Sequence, residues 1–411
     1  MSMTPEHAPM NEFPVDARGE LTVGGLPLTL LAERIGRTPF YAYDRSRIGA
    51  RVARVRAAIG PEVRLHYALK ANPFPPLVAL LARETDGFDV ASAGEMALAL
   101  DCGMPAERIA FAGPGKREEE LRQALAAGIT ITLESERELS RVLDHAESLG
   151  IAPHLALRLN PDFELKRAGM KMGGGAKPFG IDLERAPVIL ESLHAAGLAL
   201  EGLHLYAGSQ ILDAAALVAV QRAAFERLVR LAEQLPAPPR WLNLGGGFGI
   251  PYFPGEQPLA LEPVGENLRA LAAELHRLLP ATELVIELGR YLVGEAGLYV
   301  CRVLDKKRSR DTTFLVVDGG LHQHLAASGN FGQVIRKNYP VAIGNKMHLP
   351  ASERVTVVGP LCTPLDILAQ EVPLPPAEPG DLFVVYQSGA YGASASPRAF
   401  LSHPDVIETL V

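Results

Sequence analysis

Residues 65–133 carry four short apolar segments: LHYALK (65–70), GFDVA (87–91), RIAFA (108–112) and ITITL (129–133). Each is followed by a stretch able to form a helix. The series continues with HLALRL (154–159), EGLHLYA (201–207), RWLNL (240–244) and ELVIEL (283–288). Their spacing, mostly about 20 to 45 residues, suits successive β-α units with right-handed crossovers. Eight such segments predict an α/β fold, a closed (β/α)8 TIM barrel over 45–290. A doubly wound parallel sheet is the main alternative.

Local signals agree with this reading. Ile48, Val52, Val55 and Ile59 fall on one face of a helix that Asp44 or Ser46 is able to cap. Ser135 and Glu138 have capping-box spacing. Beyond residue 290 the helical period fades. GLYVCRVLDKKR (297–308), TTFLVVDGG (312–320), ERVTVVG (353–359) and DLFVVYQSGAYG (381–392) read as strands between turns. They predict a mainly antiparallel β domain over 291–411, joined by an extended N-terminal segment, 1–44. GGGAKPFG (173–180) is the candidate mobile loop.

Composition narrows the class. A hydrophobic fraction of 48% with 21% charged residues excludes a wholly disordered chain. The 39 glycines and 33 prolines fit many strands and turns better than a helical bundle. A net charge of −7 without a long basic block gives a nucleic-acid partner no support. No apolar run reaches membrane-spanning length, so no membrane partner is expected. The first 25 residues lack a signal core, and Cys102, Cys301 and Cys362 are too few and scattered for a disulfide scaffold. A cytoplasmic protein with reduced thiols is expected, and no metal site.

In a barrel, chemistry gathers where the strands end. Strand alternation through HYALKANP puts His66, Ala68 and Lys70 on one face. Lysines are usually surface residues, but one at the end of an apolar strand is a candidate Schiff-base amine, and burial would lower its proton affinity. Gly245–Gly247 of LNLGGGFG either form a turn or expose backbone N–H groups to a phosphate. Glu287 of IELGRY either holds a structural ion pair or keeps a pyridine nitrogen protonated, and Arg290 is able to pair with phosphate. His204 and Tyr206 share a strand face, followed by Gly208 and Ser209; an aromatic ring here suits stacking on a cofactor. Asp89 and Glu95 are able to orient donors or to act as caps. The joint placement of these residues at successive strand ends points to a phosphorylated carbonyl cofactor.

The motifs YALKAN, GFDVASAGE, GLHLYAGSQ, LNLGGGFG, ELGRY, VVGPLCTPLD and GAYG resemble those of the fold-type III pyridoxal-phosphate decarboxylases, the family of diaminopimelate, ornithine and arginine decarboxylases. The resemblance spans residues 35–405. It implies a barrel plus a β-rich C-terminal domain, pyridoxal 5'-phosphate as cofactor, and a homodimer with active sites completed across the interface. By motif, Lys70 resembles the internal-aldimine lysine and Glu287 the partner of the pyridine nitrogen. Gly246, Gly247, Ser209, Arg290 and Tyr391 resemble the phosphate shell. Asp89, His204 and Tyr206 belong with the cofactor, Tyr206 standing where the family commonly stacks a histidine. Cys362 resembles the cysteine supplied by the other subunit, which protonates the carbanion left by carbon dioxide.

The chain departs from the family pattern on the substrate side. Thr363 replaces an acidic residue, Ala326 stands at the place of a diaminopimelate enzyme's arginine, and GASASPRAFLSHP replaces its YNSRP-like stretch. Thr363, His322 and His324 remain as candidate substrate ligands, with Arg398 as a further cation. The motifs LYAGSQ, GLHQHLAASGNFGQ and GAYGASASP are similar to a branch associated with exosortase loci or acting on modified or carrier-linked amino acids. For such a substrate Gly173–Gly175 would widen the entrance, or they would serve a turn. The expected activity is decarboxylation of an α-amino acid or an amino-acid-derived substrate to carbon dioxide and an amine. The alternatives are meso-diaminopimelate decarboxylase making L-lysine, a pyridoxal-phosphate racemase, and a non-catalytic regulator that binds the cofactor.

Overall fold

A computed structural model of the chain describes residues 6–10, 13–163, 170–171 and 174–411. The chain divides into two compact units. One comprises Arg51–Ile250 and Pro258–Gly289; the other comprises the residues up to Ala50, Pro251–Gln257 and Arg290–Val411.

The first unit is a closed parallel β-barrel. Its strands are β1 (Val63–Ala68), β2 (Gly87–Val90), β3 (Ile109–Phe111), β4 (Thr130–Leu133), β5 (Leu155–Asn160), β6 (Gly202–Leu205), β7 (Trp241–Asn243) and β8 (Glu283–Leu288). Each pairs in parallel with the next, and β8 pairs with β1, which closes the ring. Burial on both faces explains why these strands read as short apolar runs rather than alternating ones. All six residues of β5 are buried, Arg158 and Asn160 included.

Helices between the strands start where short-range chemistry directs. Ser92 Oγ accepts from the Glu95 N–H, and the Glu95 carboxylate returns a bond to the Ala91 N–H. Ser135 Oγ likewise accepts from the Glu138 N–H at 3.1 Å. The Glu138 carboxylate also takes the N–H of the residue before the cap, Glu134, while its other oxygen accepts from the buried Lys116 ammonium.

One local expectation is corrected. The strand expected to run to Lys70 stops at Ala68, and Leu69–Ala71 form a single 3-10 turn. The Asn72 N–H bonds to Leu69 O, and Tyr67 Oη donates to Asn72 O at 2.9 Å. These bonds tighten the chain into a turn, so Lys70 leaves the alternation that governs His66 and Ala68.

The second unit is a mostly antiparallel β-sheet. Gly297–Ser309 lies at its centre and pairs antiparallel with Thr312–Val317, Leu382–Val385 and Phe40–Tyr43. Phe40–Tyr43 also pairs in parallel with Ile407–Leu410. Its core includes Leu21, Phe40, Leu298, Val300, Leu382 and Val384. Asp44, rather than Ser46, caps the helix Arg45–Ile59: its Oδ1 accepts from the N–H groups of Ser46 and Arg47. Ile48, Val52, Val55 and Ile59 are all buried, as their helical spacing predicts. No described helix is long and apolar enough to cross a membrane.

Candidate active site

In the barrel unit, polar groups converge from the C-terminal ends of the strands. Lys70 follows β1; its Nζ lies 5.5 Å from the centroid of the Tyr206 ring. The side chain is exposed in the single chain. His204, on β6, is buried, and its ring centroid lies 6.4 Å from that of Tyr206. Burial, followed by the nearby Arg158 cation, holds the His204 imidazole down to about 3, so it is neutral. Its Nε2 is 3.5 Å from the Glu287 carboxylate, within ion-pair distance, yet this buried nitrogen makes no hydrogen bond.

Glu287 itself is 7% exposed on an apolar strand, with no hydrogen-bond donor among the described residues. Burying a carboxylate without a donor is costly. A protonated ring nitrogen would supply the missing donor.

The glycine loop after β7 is shaped by close packing. A β-carbon at Gly246 would lie 1.9 Å from the Glu287 carbonyl oxygen, and one at Gly247, where φ is +80°, would lie 2.6 Å from Gly208 O. Side chains are excluded here by neighbouring backbone. The Gly245 N–H bonds to Asn243 Oδ1 at 2.8 Å, while those of Gly246 and Gly247 donate to no described residue. Two unpaired N–H groups on a side-chain-free loop, with Ser209 on the adjoining β6 loop, have the chemistry of a phosphate cradle.

A buried ionic network closes the other side of the mouth, and the residue patterns did not point to it. Glu134, just after β4, accepts from Arg158 Nη1 and from the N–H groups of Gly113 and Gly180. Lys116 Nζ donates to Gly113 O, Thr132 O and Glu138. Two loops are tied to β4 and β5 in this way. Gly174 and Gly175 serve a turn: both have positive φ and are bonded to the Asn160 side chain. Gly173 lies outside the described residues. Asp89 on β2 meets His66 of β1, with Nδ1 and Oδ2 3.2 Å apart.

In the β unit, Arg290 is enclosed by aromatic rings. Its Nη1 donates to Tyr252 Oη at 2.9 Å, and its guanidinium lies 4.6 Å from the centroid of the Tyr391 ring. Tyr252 in turn packs on Tyr339. The phenolic partners Tyr252 and Tyr391 raise the Arg290 pKa despite burial, which opposes it, so the group is a permanent cation. Its Nε is buried and unpaired. Tyr252 is not among the residues singled out from the sequence.

Cys362 is exposed, and its loop is pinned by Asp366. Asp366 Oδ1 accepts from the Leu321 N–H at 2.6 Å, and Oδ2 from the Leu361 N–H at 2.9 Å. Gly320 and Gly359 admit this carboxylate, since a β-carbon at either would fall within 2.4 Å of it. The Thr363 hydroxyl accepts from the Leu365 N–H within the same turn.

The two histidines expected on the substrate side differ. His324 is fully buried and committed at both nitrogens: Nε2 to Ser388 Oγ at 2.9 Å, Nδ1 to the Ala327 N–H at 3.2 Å. It has no nitrogen left for a ligand, which corrects its candidacy. His322 is also buried, but neither ring nitrogen has a partner; its ring lies 5.2 Å from that of His403, and burial followed by the His403 charge lowers it to about 4. Arg398 is paired with Asp405, its Nε 2.5 Å from Oδ1.

With this geometry in view, the comparisons are specific. Residues 45–294 match the family model described as the pyridoxal-dependent decarboxylase, pyridoxal binding domain. The chain is 37% identical to L-glutamyl-[BtrI acyl-carrier protein] decarboxylase of Niallia circulans, over 93% of this chain and 90% of that protein. It is 33% identical to the diaminopimelate decarboxylase of Aquifex aeolicus, over 100% and 94%. Among solved structures, diaminopimelate decarboxylase from M. jannaschii superposes with a TM-score of 0.86 at 25% identity, over 97% and 92%.

The chain belongs to the fold-type III pyridoxal-phosphate decarboxylase family, close to the diaminopimelate and ornithine decarboxylases. It is a pyridoxal-phosphate-dependent amino-acid decarboxylase, releasing carbon dioxide and an amine. The donor-less Glu287 and the unpaired N–H groups of Gly246 and Gly247 fit that cofactor.

Proposed function

We propose that the chain removes the α-carboxylate of a substrate amino acid with a fixed division of labour among its side chains. The observation that carries it is the buried, donor-less carboxylate of Glu287. Glu287 would accept the ring N–H of the cofactor, and Gly246, Gly247, Ser209, Arg290 and Tyr391 would bind its phosphate. Lys70 Nζ would be the amine that holds the cofactor in the resting enzyme. Pyridoxal phosphate, when bound, supplies the sink for the electron pair left as carbon dioxide departs. Tyr206 would pack against the ring, with the neutral His204 and Asp89 completing the polar lining. Cys362 delivers the proton to the α-carbon from a second copy of the chain.

The proposed homodimer is supported by the exposure of Cys362 together with Phe331, Val334, Ile335 and Leu365, an apolar group awaiting cover. Three free cysteines support a reducing, cytoplasmic setting.

For the substrate, the comparisons favour meso-diaminopimelate, giving L-lysine, over the broader modified-amino-acid reading: diaminopimelate decarboxylases recur among both relatives and solved structures. A second reading, a glutamyl group on a carrier protein, has its own support. Ala326 and Thr363 remove the charged groups that would hold a distal carboxylate and amine, and the Niallia relative is named for such a substrate. Purified enzyme loaded with pyridoxal phosphate should release carbon dioxide from one of these two substrates. Lysine formation selects the first, and turnover of the glutamyl carrier alone selects the second. Lys70→Ala should abolish either; inactivity of cofactor-loaded dimer on both would refute the assignment.

A further inference from the structure

Strand register places a titratable side chain, His66, beside Glu287. The parallel register sets Glu287 of β8 opposite His66 of β1, and His66 opposite Gly87 of β2. Gly87 leaves a gap that the imidazole fills, since a β-carbon there would lie 2.6 Å from His66 Nε2. The ring reaches across that gap to Asp89, two residues further along β2, at 3.2 Å. The side chains of His66 and Asp89 are 13% and 10% exposed, so neither is well solvated. On its other side His66 borders a polar cavity of about 250 Å³ at the N-terminal ends of the strands.

We propose that His66 is a positioning residue for the cofactor nitrogen: as an imidazolium it neutralises Asp89, leaving Glu287 as the one unbalanced negative charge on this side of the ring. The proposal rests on the reading that Glu287 faces the pyridine nitrogen. Two carboxylates that repel each other in a poorly solvated barrel would otherwise compete for one proton. The charged surroundings agree. Burial is the largest single influence on His66 and opposes its charge, but Asp89 by charge and hydrogen bond, together with Asp86 and Glu287, raises its proton affinity overall. Asp89 is raised by burial and then by Glu287, while His66 pulls it down. The other charged groups bordering the cavity come in both signs: Arg64, Arg108 and Arg240 against Asp86, Glu107 and Glu283. Arg64 is taken up by Glu283 and Asp86, and Arg240 by Glu201, and His66 is the one ion-pair partner of Asp89 among the described residues.

Binding linkage makes the idea testable without turnover. If the His66 charge bears on the ring nitrogen, a protonated ring must in return weaken the His66 proton. The protein carrying ¹³Cε1-labelled histidine is titrated by NMR with and without pyridoxal phosphate, the His66 signal being assigned by its loss in His66→Gln. Without cofactor the midpoint should lie above 6.5, the ordinary histidine value. Asp89→Asn should lower the proton affinity about tenfold, one pH unit. Loading the wild-type protein should lower it at least about twofold, as the reciprocal coupling requires. A midpoint at or below 6.5, or no response to Asp89→Asn, overturns the pairing. A response to Asp89→Asn with none to cofactor loading makes the pair purely structural and overturns the positioning role. The underlying reading fails separately: Glu287→Gln would then leave the absorbance and affinity of the bound cofactor unchanged.

Discussion

Replacing Gly246 by alanine tests whether the glycine loop is positioned by β8. The new β-carbon would lie 1.9 Å from the Glu287 carbonyl oxygen, 1.1 Å inside the 3.0 Å limit of real contacts, with the Leu288 side chain 2.9 Å away. Both sides of the main clash are backbone, so no rotamer change relieves it. Either the loop lifts from β8 or β8 moves, and β8 carries Glu287. Overpacking typically costs 1–3 kcal/mol, and a backbone-on-backbone overlap belongs at the top of that range, about 3 kcal/mol. If that displacement falls on the cofactor site, affinity for pyridoxal phosphate drops roughly 100-fold at 1.4 kcal/mol per decade. Absorbance titration with the cofactor and thermal unfolding of cofactor-free protein read the two effects. Gly49→Ala serves as control: it lies in the helix Arg45–Ile59 with nothing near its β-carbon position, so it should stabilise by about 0.5–1 kcal/mol. Gly246→Ala with wild-type affinity and melting temperature would refute the argument.

Three further outcomes follow from the buried groups. Lys116→Met should destabilise by about 3–5 kcal/mol by leaving Glu138 without its counterion; Lys116→Met combined with Glu138→Leu should recover much of this, and chemical denaturation of the single and double variants tests the coupling. His204 and His324 each fall from 6.5 in the unfolded chain to about 3 in the folded one, so the unfolded state binds more protons in between. Their contribution to stability is complete above 6.5 and is lost as pH falls toward 3; His324→Gln should flatten the stability–pH curve between those limits, and an unchanged slope counts against the shift. Asp366→Ala removes the acceptor of two backbone N–H groups and should cost about 2–4 kcal/mol, at 1–3 kcal/mol per orphaned group less relaxation. It should also lower turnover more than cofactor affinity, because it loosens the Cys362 loop; equal effects on both would count against that role.

Much of the barrel was legible because its signals are short-range. Fully buried parallel strands leave compact apolar runs, and crossover length sets their spacing. The site was legible wherever a residue type is unusual for its place, such as Glu287 on an apolar strand or three successive glycines. Other features depend on partners far away in the chain. Tyr252 meets Arg290 across 38 residues, and Glu134 meets Gly180 across 46. Neither has a local pattern. His324 reads as a polar candidate in GLHQHLAASG, but aromatic neighbours and Ser388 make it part of the core.

By itself, the sequence determined the β-α order, the family and the residue types a pyridoxal-phosphate decarboxylase requires, because these follow from periodicity and from motifs contiguous in the chain. Tertiary structure alone decided what each charge faces. Lys70 stands on a turn rather than a strand because the Tyr67 hydroxyl and the Asn72 backbone fold the chain there. Gly246 is barred from carrying a side chain by a carbonyl 41 residues away, at Glu287. His66 acquires its partner because Gly87, on the adjacent strand, lets the imidazole reach Asp89. Strand register sets those distances, and register is a property of the closed barrel rather than of any segment within it.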